Sequence, residues 1–213
     1  FDREEDRTFR PETSWNYELG AKHPFLDNRL NAEFCFFWID WKNQQIYQML
    51  ATQNGQFLRN AGRSESKGVE VSLQGNPVNG LMVQVNYGFT HATFKDYMDE
   101  RRVIDYSWNF LPMVPRHTFA VGADYTIPNP CRHIDRFTVS ANYTGTGRIL
   151  WKEDNKVSQP YYGLLNAKVS ATKDFITFAI WVKNMTGADY SAFYFETGGK
   201  GLAQKGRPFT IGG

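Results

Sequence analysis

The chain has 213 residues, of which 41% are hydrophobic, 22% charged and 16% aromatic, a composition typical of an ordered domain and unlike that of a disordered chain. The formal net charge is only +2, so no strong basic field favours nucleic acid as a partner. Two cysteines, Cys35 and Cys131, are too few for a disulfide scaffold and too far apart for paired zinc ligands. We expect both to be free thiols.

The hydropathy of the chain bears on how it would meet a membrane. No stretch contains the roughly 18 consecutive apolar residues that a membrane-spanning helix requires, and the mean hydropathy is −0.52. A membrane β-barrel stays compatible with this value, because its lipid-facing and lumen-facing residues alternate and cancel in the average. The first ten residues form a charged run without the apolar segment of a signal peptide, so we expect a mature or partial chain.

Apolar and polar residues alternate along most of the chain, which is the pattern of β-strands with one apolar face. In the clearest case, Leu81, Val83 and Val85 alternate with Gln84 and Asn86. No helical period persists for three turns, which disfavours folds with crossover helices. In chain order, the alternation predicts nine strands, at 15–22, 30–38, 69–74, 81–90, 119–127, 137–143, 165–171, 176–182 and 209–213.

The predicted connections alternate in length. Those after the first, third, fifth and seventh strands are short turns, whereas those after the second, fourth, sixth and eighth are long and rich in glycine, asparagine, aromatic and charged residues. Outer-membrane barrels have short periplasmic turns and longer extracellular loops, so this asymmetry is typical of an antiparallel up-and-down transmembrane β-barrel.

Alternation alone does not define which way the apolar face points, because a soluble barrel or sandwich turns that face inward. The opposite parity carries the charged residues Glu18, Lys22, Glu70 and Lys168, which suit a water-filled lumen. Aromatic residues lie on the apolar parity and often near strand ends, as in the interfacial girdles of membrane barrels. They are Trp15, Tyr17, Tyr87, Phe89, Tyr125 and Tyr143.

Five segments resemble a known family. They are PETSWNYELGAK at 11–22, FWIDWKNQQI at 37–46, NAGRSESKGVE at 60–70, PMVPRHT at 112–118 and VKNMTGADY at 182–190. In this order they are similar to the C-terminal part of the β-barrel of TonB-dependent outer-membrane receptors, the siderophore receptors in particular. Large plugged barrels of this kind have about 22 strands. The resemblance implies that residues 1–213 are the C-terminal portion of such an all-β barrel, without its plug domain and N-terminal strands.

The resemblance also implies a function. A receptor of this family lies in the bacterial outer membrane and takes up a scarce nutrient, and the run at 60–70 favours a ferric siderophore over haem, cobalamin or a glycan. The implied partners are the lipid bilayer, the small ligand and the TonB-ExbB-ExbD energy-transducing complex, which would act through an N-terminal region outside this sequence. No cofactor and no enzymatic activity are implied. A self-contained small β-barrel that binds a ligand without transport is the alternative.

The long loops are the predicted ligand-binding elements, because loops on a rigid scaffold commonly bind ligands and aromatic rings beside arginine or lysine suit an anionic iron chelate. We predict no catalytic residue, since no G-x-S-x-G elbow occurs, and no metal site, since His23, His91, His117 and His133 are scattered. The candidate ligand contacts are Tyr47, Arg101, Arg102, Tyr106, Trp108, Arg148, Trp151 and Lys152.

Overall fold

The computed structural model describes residues 10–49, 56–60, 62–99, 103–197 and 200–213. Among these residues, no helix is long and apolar enough to cross a membrane. In chain order the strands are β1 (Thr13–Phe25), β2 (Leu30–Lys42), β3 (Gln45–Met49), β4 (Gln56–Asn60), β5 (Arg63–Val78), β6 (Leu81–Asp96), β7 (Met98–Asp99), β8 (Ile104–Asp105), β9 (His117–Cys131), β10 (Ile134–Thr146), β11 (Ile149–Leu150), β12 (Ser158–Gln159), β13 (Tyr162–Lys173), β14 (Ile176–Lys183), β15 (Ser191–Thr197), β16 (Lys200–Lys205) and β17 (Thr210–Gly212).

Nine of these strands form one antiparallel sheet in the order β1-β2-β5-β6-β9-β10-β13-β14-β17. Each strand of the sheet pairs with the one that follows it along the chain, so the predicted all-β, up-and-down arrangement of nine strands is confirmed. Several strands are longer than the alternation predicted. β5 covers 63–78 instead of 69–74, because its first residues carry polar side chains on both faces and so hide the period of two.

The remaining eight strands form four two-stranded sheets within the long connections. They pair β3 with β4, β7 with β8, β11 with β12 and β15 with β16. The sequence did not predict them. Strands of two residues, such as β7 and β11, are too short to display any alternation.

The connections of the sheet divide cleanly between its two ends, as predicted. Four short turns, at 26–29, 79–80, 132–133 and 174–175, define what we call the turn end. At the opposite, loop end lie loop A (43–62), loop B (97–116), loop C (147–161) and loop D (184–209). Both cysteines are free, as predicted; Cys35 lies in β2, and Cys131 is the last residue of β9.

The register places apolar side chains beside apolar side chains on neighbouring strands of the sheet. One row runs from Leu19 through Phe36 and Val69 to Phe89 on four successive strands. We call this side of the sheet the apolar face and the opposite side, with Glu18 and Glu70, the polar face. Because a strand alternates faces at every residue, a register slip by one would exchange the two faces.

The apolar face is exposed along the sheet rather than packed against another layer of protein. Leu19 is 74% exposed, Phe178 76% and Ile180 64%. Among the described residues, the one cluster of buried hydrophobic side chains, which contains Phe94 and Tyr97, lies at the loop end instead. A contiguous exposed apolar surface of this kind suits contact with lipid and not with water.

Aromatic residues border the apolar face at both ends. At the loop end, the ring of Tyr17 stacks on those of Trp15 and Trp38, with centroids 6.5 and 5.3 Å away. At the turn end, Phe25 and Phe175 project from the sheet, and Phe175 is 93% exposed. Amphipathic rings concentrate at the two membrane–water interfaces, so these residues mark the levels at which the sheet would leave the hydrocarbon.

The two faces are tested by adjacent residues of β10. Val139 lies on the apolar face, and Ser140 lies on the polar face opposite Asp124 and Lys168. We expect Val139→Arg to lower the free energy of unfolding of the intact protein in lipid vesicles by about 2–4 kcal/mol, because it places a charge in the hydrocarbon. Ser140→Arg is the matched control and should cost far less; equal losses in urea titrations followed by tryptophan fluorescence would contradict the assignment of faces.

The turn at 79–80 depends on glycine. Gly80 has a φ of 82°, and a Cβ there would collide with the carbonyl oxygen of Thr126. We expect Gly80→Ala to destabilise the barrel by about 1–2 kcal/mol, the typical cost of a left-handed L-residue, plus the cost of the collision. Gly122→Ala is the control, since its Cβ meets nothing closer than 3.9 Å. The same unfolding titration measures both, and a neutral Gly80→Ala would show that the turn relaxes freely.

Candidate ligand-binding site

Loops B and C are joined by asparagine side chains. The Oδ1 atom of Asn155 accepts from the backbone N–H of Phe110 at 2.8 Å, and its Nδ2 donates to the carbonyl of the same residue at 2.9 Å. The Nδ2 of Asn109 donates to the carbonyl oxygen of Glu153 at 2.7 Å. A further backbone bond joins Met113 N–H to the oxygen of Leu150 at 2.7 Å. These bonds hold the two loops together at the loop end.

Loop C is joined on its other side to loop D. The Nζ of Lys152 lies 2.6 Å from Oε2 of Glu196, and the Oε1 of Gln159 accepts from the N–H of Ser191 at 2.8 Å. The ring of Trp151 meets that of Phe193 edge to face, with centroids 6.5 Å apart. Loop C therefore connects loop B to loop D.

Asn184 fixes both ends of loop D. Its side chain donates to the carbonyls of Ala188 and Arg207 at 2.9 Å, and its Oδ1 accepts from the N–H of Ala188 at 2.9 Å. The residue is 2% exposed, and its own N–H donates to Oδ1 of Asn166 at 3.0 Å. A buried amide with all these bonds made is a positioning group rather than a ligand contact. This accounts physically for the asparagine within the segment 182–190.

A cavity of about 480 Å³ lies at the loop end on the polar face, below loop B. Polar-face residues of β2, β5 and β6 form its wall, and loops A, B and C contribute the rest. Among the residues that line it are Trp41, Gln44, Ser64, Phe94, Met113 and Glu153. The mixture of aromatic, aliphatic and polar groups is typical of a small-molecule site.

Trp41, which lines this cavity, carries an indole N–H without a partner among the described residues. The indole Nε1 of Trp41 is buried, and no described group accepts its hydrogen bond. Ser64, beside it in the wall, is by contrast satisfied, because its hydroxyl donates to Oε1 of Gln44 at 2.8 Å. A buried N–H without an acceptor costs free energy.

A second depression, of about 720 Å³, crosses the middle of the strands. Its lining includes neighbouring residues of both faces, such as Glu70 with Val71. A single-layer sheet cannot enclose a ligand between its own two faces, so we assign no site there.

The ion pair between loops C and D shapes the electrostatics of the loop end. Partial burial by itself would lower the pKa of Lys152, but the hydrogen bond and negative charge of Glu196 outweigh it and raise that pKa above its ordinary value. Lys152 therefore stays protonated at neutral pH with its charge directed at a carboxylate of loop D.

The structure separates the predicted ligand contacts by environment. Tyr106 and Trp151 are each 7% exposed and pack inside the loops, Tyr106 against Tyr97. Arg148 is exposed at the start of loop C. Trp108 is 69% exposed, and Nζ of Lys95 lies 4.8 Å from its ring centroid.

The other three predicted contacts are Tyr47, Arg101 and Arg102. Tyr47 lies in β3, with its backbone opposite Leu58 of β4. Arg101 and Arg102 fall outside the described residues. Sequence reasoning missed Trp41 and the bridging asparagines, because their surroundings are formed by segments far apart in the chain. Among the described residues, no group of three histidine, cysteine or carboxylate side chains is placed to hold a metal ion.

An antiparallel sheet with one exposed apolar face, aromatic borders and all its long loops at one end is the wall of an outer-membrane β-barrel. Residues 4–185 match the family described as TonB dependent receptor-like, beta-barrel, and the chain belongs to that family. Its members are outer-membrane β-barrels of bacteria, which confirms the predicted family, fold class and location. The family comprises receptors rather than enzymes.

Individual relatives are named as receptors. The chain is 27% identical over 136 residues to the ferric-pyoverdine M114 receptor PbuA of Pseudomonas sp. (strain M114), covering 63% of this chain and 15% of that protein. It is 24% identical over 208 residues to the pesticin receptor of Yersinia pestis, covering 97% of this chain and 29% of that protein. The chain thus spans less than a third of the length of either relative.

The fold is shared with solved structures. The crystal structure of the ferric yersiniabactin uptake receptor FyuA from Yersinia pestis superposes with a TM-score of 0.79 at 20% identity. The match covers 95% of this chain and 29% of that one. The nine-stranded sheet is therefore similar to part of the wall of that barrel.

The bridge between loops B and C generates a prediction. Asn155→Asp keeps the acceptor for Phe110 N–H but removes the donor to its carbonyl, so we expect the free energy of local opening to fall by about 1–2 kcal/mol. Hydrogen exchange of residues 109–113 in the intact protein should accelerate accordingly. Asn129→Asp is the control, because it makes the same change at a left-handed position of the turn end. Equal exchange in wild type and Asn155→Asp would show that the bridge does not restrain loop B.

Proposed function

We propose that this chain is the C-terminal part of the barrel of a receptor that takes up a ferric siderophore, energised through TonB. The observation that carries the proposal is the cavity below loop B, at the end where the loops are joined, with the Trp41 N–H that has no acceptor among the described residues. In the family, the loop end corresponds to the extracellular side. The names of the relatives, which include receptors for ferric pyoverdine and ferric yersiniabactin, support an iron chelate as the ligand.

The open sheet supports a larger barrel. β1 and β17 stand at opposite edges and do not pair with each other, so the nine strands do not close. An open sheet edge in a bilayer would leave backbone N–H and C=O groups without partners, at several kcal/mol each. We infer that further strands complete the wall, which favours a receptor of about 22 strands over a self-contained small barrel. The plug and the contact with the TonB complex would belong to that remaining part.

The ligand would enter between the loops and settle against the polar face. Trp41 offers an indole donor, and Arg148 is an exposed cation at the start of loop C. Aromatic rings and cations together suit an anionic, partly aromatic chelate. Tyr106 and Trp151 would support the loops from within, and Lys152 would hold loop C to loop D.

Uptake by cells tests this proposal. A strain lacking the intact protein should lose uptake of ⁵⁵Fe from at least one member of a panel of hydroxamate, catecholate and phenolate chelates, and should recover it on complementation. Dissipating the proton-motive force should abolish the recovered uptake. Loss of haem, cobalamin or glycan uptake with iron uptake unchanged would contradict the siderophore assignment. An intact mass near 24.6 kDa for the mature protein would contradict the larger barrel.

Trp41→Phe separates binding from stability. The variant keeps the ring but removes the unpartnered N–H, so the ligand-free protein should be as stable as the wild type or more stable. Affinity for the transported chelate should fall roughly fivefold, the value of one hydrogen bond of about 1 kcal/mol. Tryptophan-quenching titrations measure the affinity, with Trp181→Phe on the same face as the control. Unchanged affinity would remove Trp41 from the site.

A further inference from the structure

A cluster of charges lies on the apolar face at the loop end, apart from the proposed ligand cavity. Its centre is Glu65 of β5, whose side chain is 14% exposed. Its Oε1 lies 3.0 Å from Nζ of Lys95 and 3.3 Å from Nζ of Lys67. Its Oε2 accepts from Nε1 of Trp38 at 3.1 Å. Two ammonium groups therefore converge on one carboxylate.

A guanidinium adds to this cluster. Cζ of Arg116 lies 5.1 Å from the ring centroid of Phe110 and 5.8 Å from that of Phe89. The ring of Phe110 meets that of His91 edge to face, with centroids 5.3 Å apart, and His91 pairs in the register with Lys67, so Arg116 lies on the same part of the sheet as the lysines. We call Lys67, Lys95 and Arg116 the cationic patch.

The neighbouring charges do not cancel the patch. Asp40 is held by Arg63 through two hydrogen bonds, of 2.6 and 2.9 Å. Arg63 pairs in the register with Lys42 on one side and Asp96 on the other, and these two residues add one charge of each sign. Among the described residues, Glu65 is thus the carboxylate paired with the patch, one negative charge against three positive ones.

The patch lies immediately beyond the aromatic border of the membrane. Lys67 pairs with Trp38, the residue that continues the stack of Tyr17. Two residues further along β5 and β2, the register reaches Val69 opposite Phe36, which is 50% exposed on the apolar face. Tryptophan and tyrosine mark the headgroup level of a bilayer, so the ammonium groups reach the depth of lipid phosphates.

We propose that the cationic patch binds a phosphorylated lipid headgroup of the outer leaflet. The ammonium groups of Lys67 and Lys95 and the guanidinium of Arg116 would donate to the phosphate oxygens, and acyl chains would lie along the row of Phe36, Val69 and Phe89. The occupant is a lipid and not a soluble anion, because the surface continuous with the patch is apolar and exposed. Lys67, 56% exposed at its side chain, is more open than Lys95, which is 26% exposed.

Native mass spectrometry of the intact protein, stripped of lipid in neutral detergent, tests this proposal. Diphosphorylated lipid A is the probe, with phosphatidylcholine and inorganic phosphate at the same concentrations as comparisons. We expect lipid A to bind and the other two not to bind measurably. The double variant Lys67→Gln/Lys95→Gln should weaken lipid A binding roughly tenfold or more, since each basic residue near the surface contributes about 1 kcal/mol.

Two matched variants separate specific contacts from overall charge and from misfolding. Lys156→Gln/Lys205→Gln removes the same charge from exposed loop positions and should bind lipid A like the wild type. Lys67→Arg/Lys95→Arg should retain binding, and resistance of the barrel to sodium dodecyl sulfate before heating checks that each variant is folded. Wild-type binding by a folded Lys67→Gln/Lys95→Gln variant would overturn the proposal. Inorganic phosphate binding as tightly as lipid A would overturn the lipid assignment.

Discussion

The structure depends on a register that aligns apolar side chains of nine strands in rows on one side. In hydrocarbon a backbone polar group has no water to bond to, so each strand must pair along its length with its neighbours. The period of two then fixes the rest, because pairing Leu19 with Phe36 and Phe36 with Val69 commits the opposite side to Glu18 and Glu70. A lipid-facing surface and a polar lumen wall follow from one hydrogen-bonding pattern.

Outside the hydrocarbon the same chain uses different interactions. Short side chains carrying amides link loops B, C and D, as Asn155 does to Phe110 and Gln159 to Ser191. Such bonds are local in space but distant in sequence, and each satisfies backbone groups that no strand partner reaches. The loop end thereby acquires defined geometry without a large hydrophobic core, which is limited there to residues around Phe94 and Tyr97.

The contrast between the two regions explains what the sequence could predict. The strands were predictable because a lipid-facing sheet requires strict alternation of apolar and polar residues. The turn end was predictable because Asn79 and Gly80 are typical of a tight turn. The first residues of β5 were missed because they project beyond the hydrocarbon, where Arg63 and Glu65 sit on the face that lower down carries Val69. The cavity at Trp41 and the bridge of Asn155 were not predictable from one sequence, since their partners lie in other loops, and Asn184 reaches Arg207 at the far end of its own loop.

The unequal connections also set an order of assembly. Next to the turn end, Val78 pairs with Leu81 across two residues, so closing this hairpin costs little chain entropy. Pairing Lys42 with Arg63 closes the much longer loop A, so it costs more chain entropy. We therefore expect the four tight hairpins to nucleate at their turns and zip toward the loops, and the hairpins then to dock side by side. The loops that define the outer surface are the last part of the wall to acquire their shape.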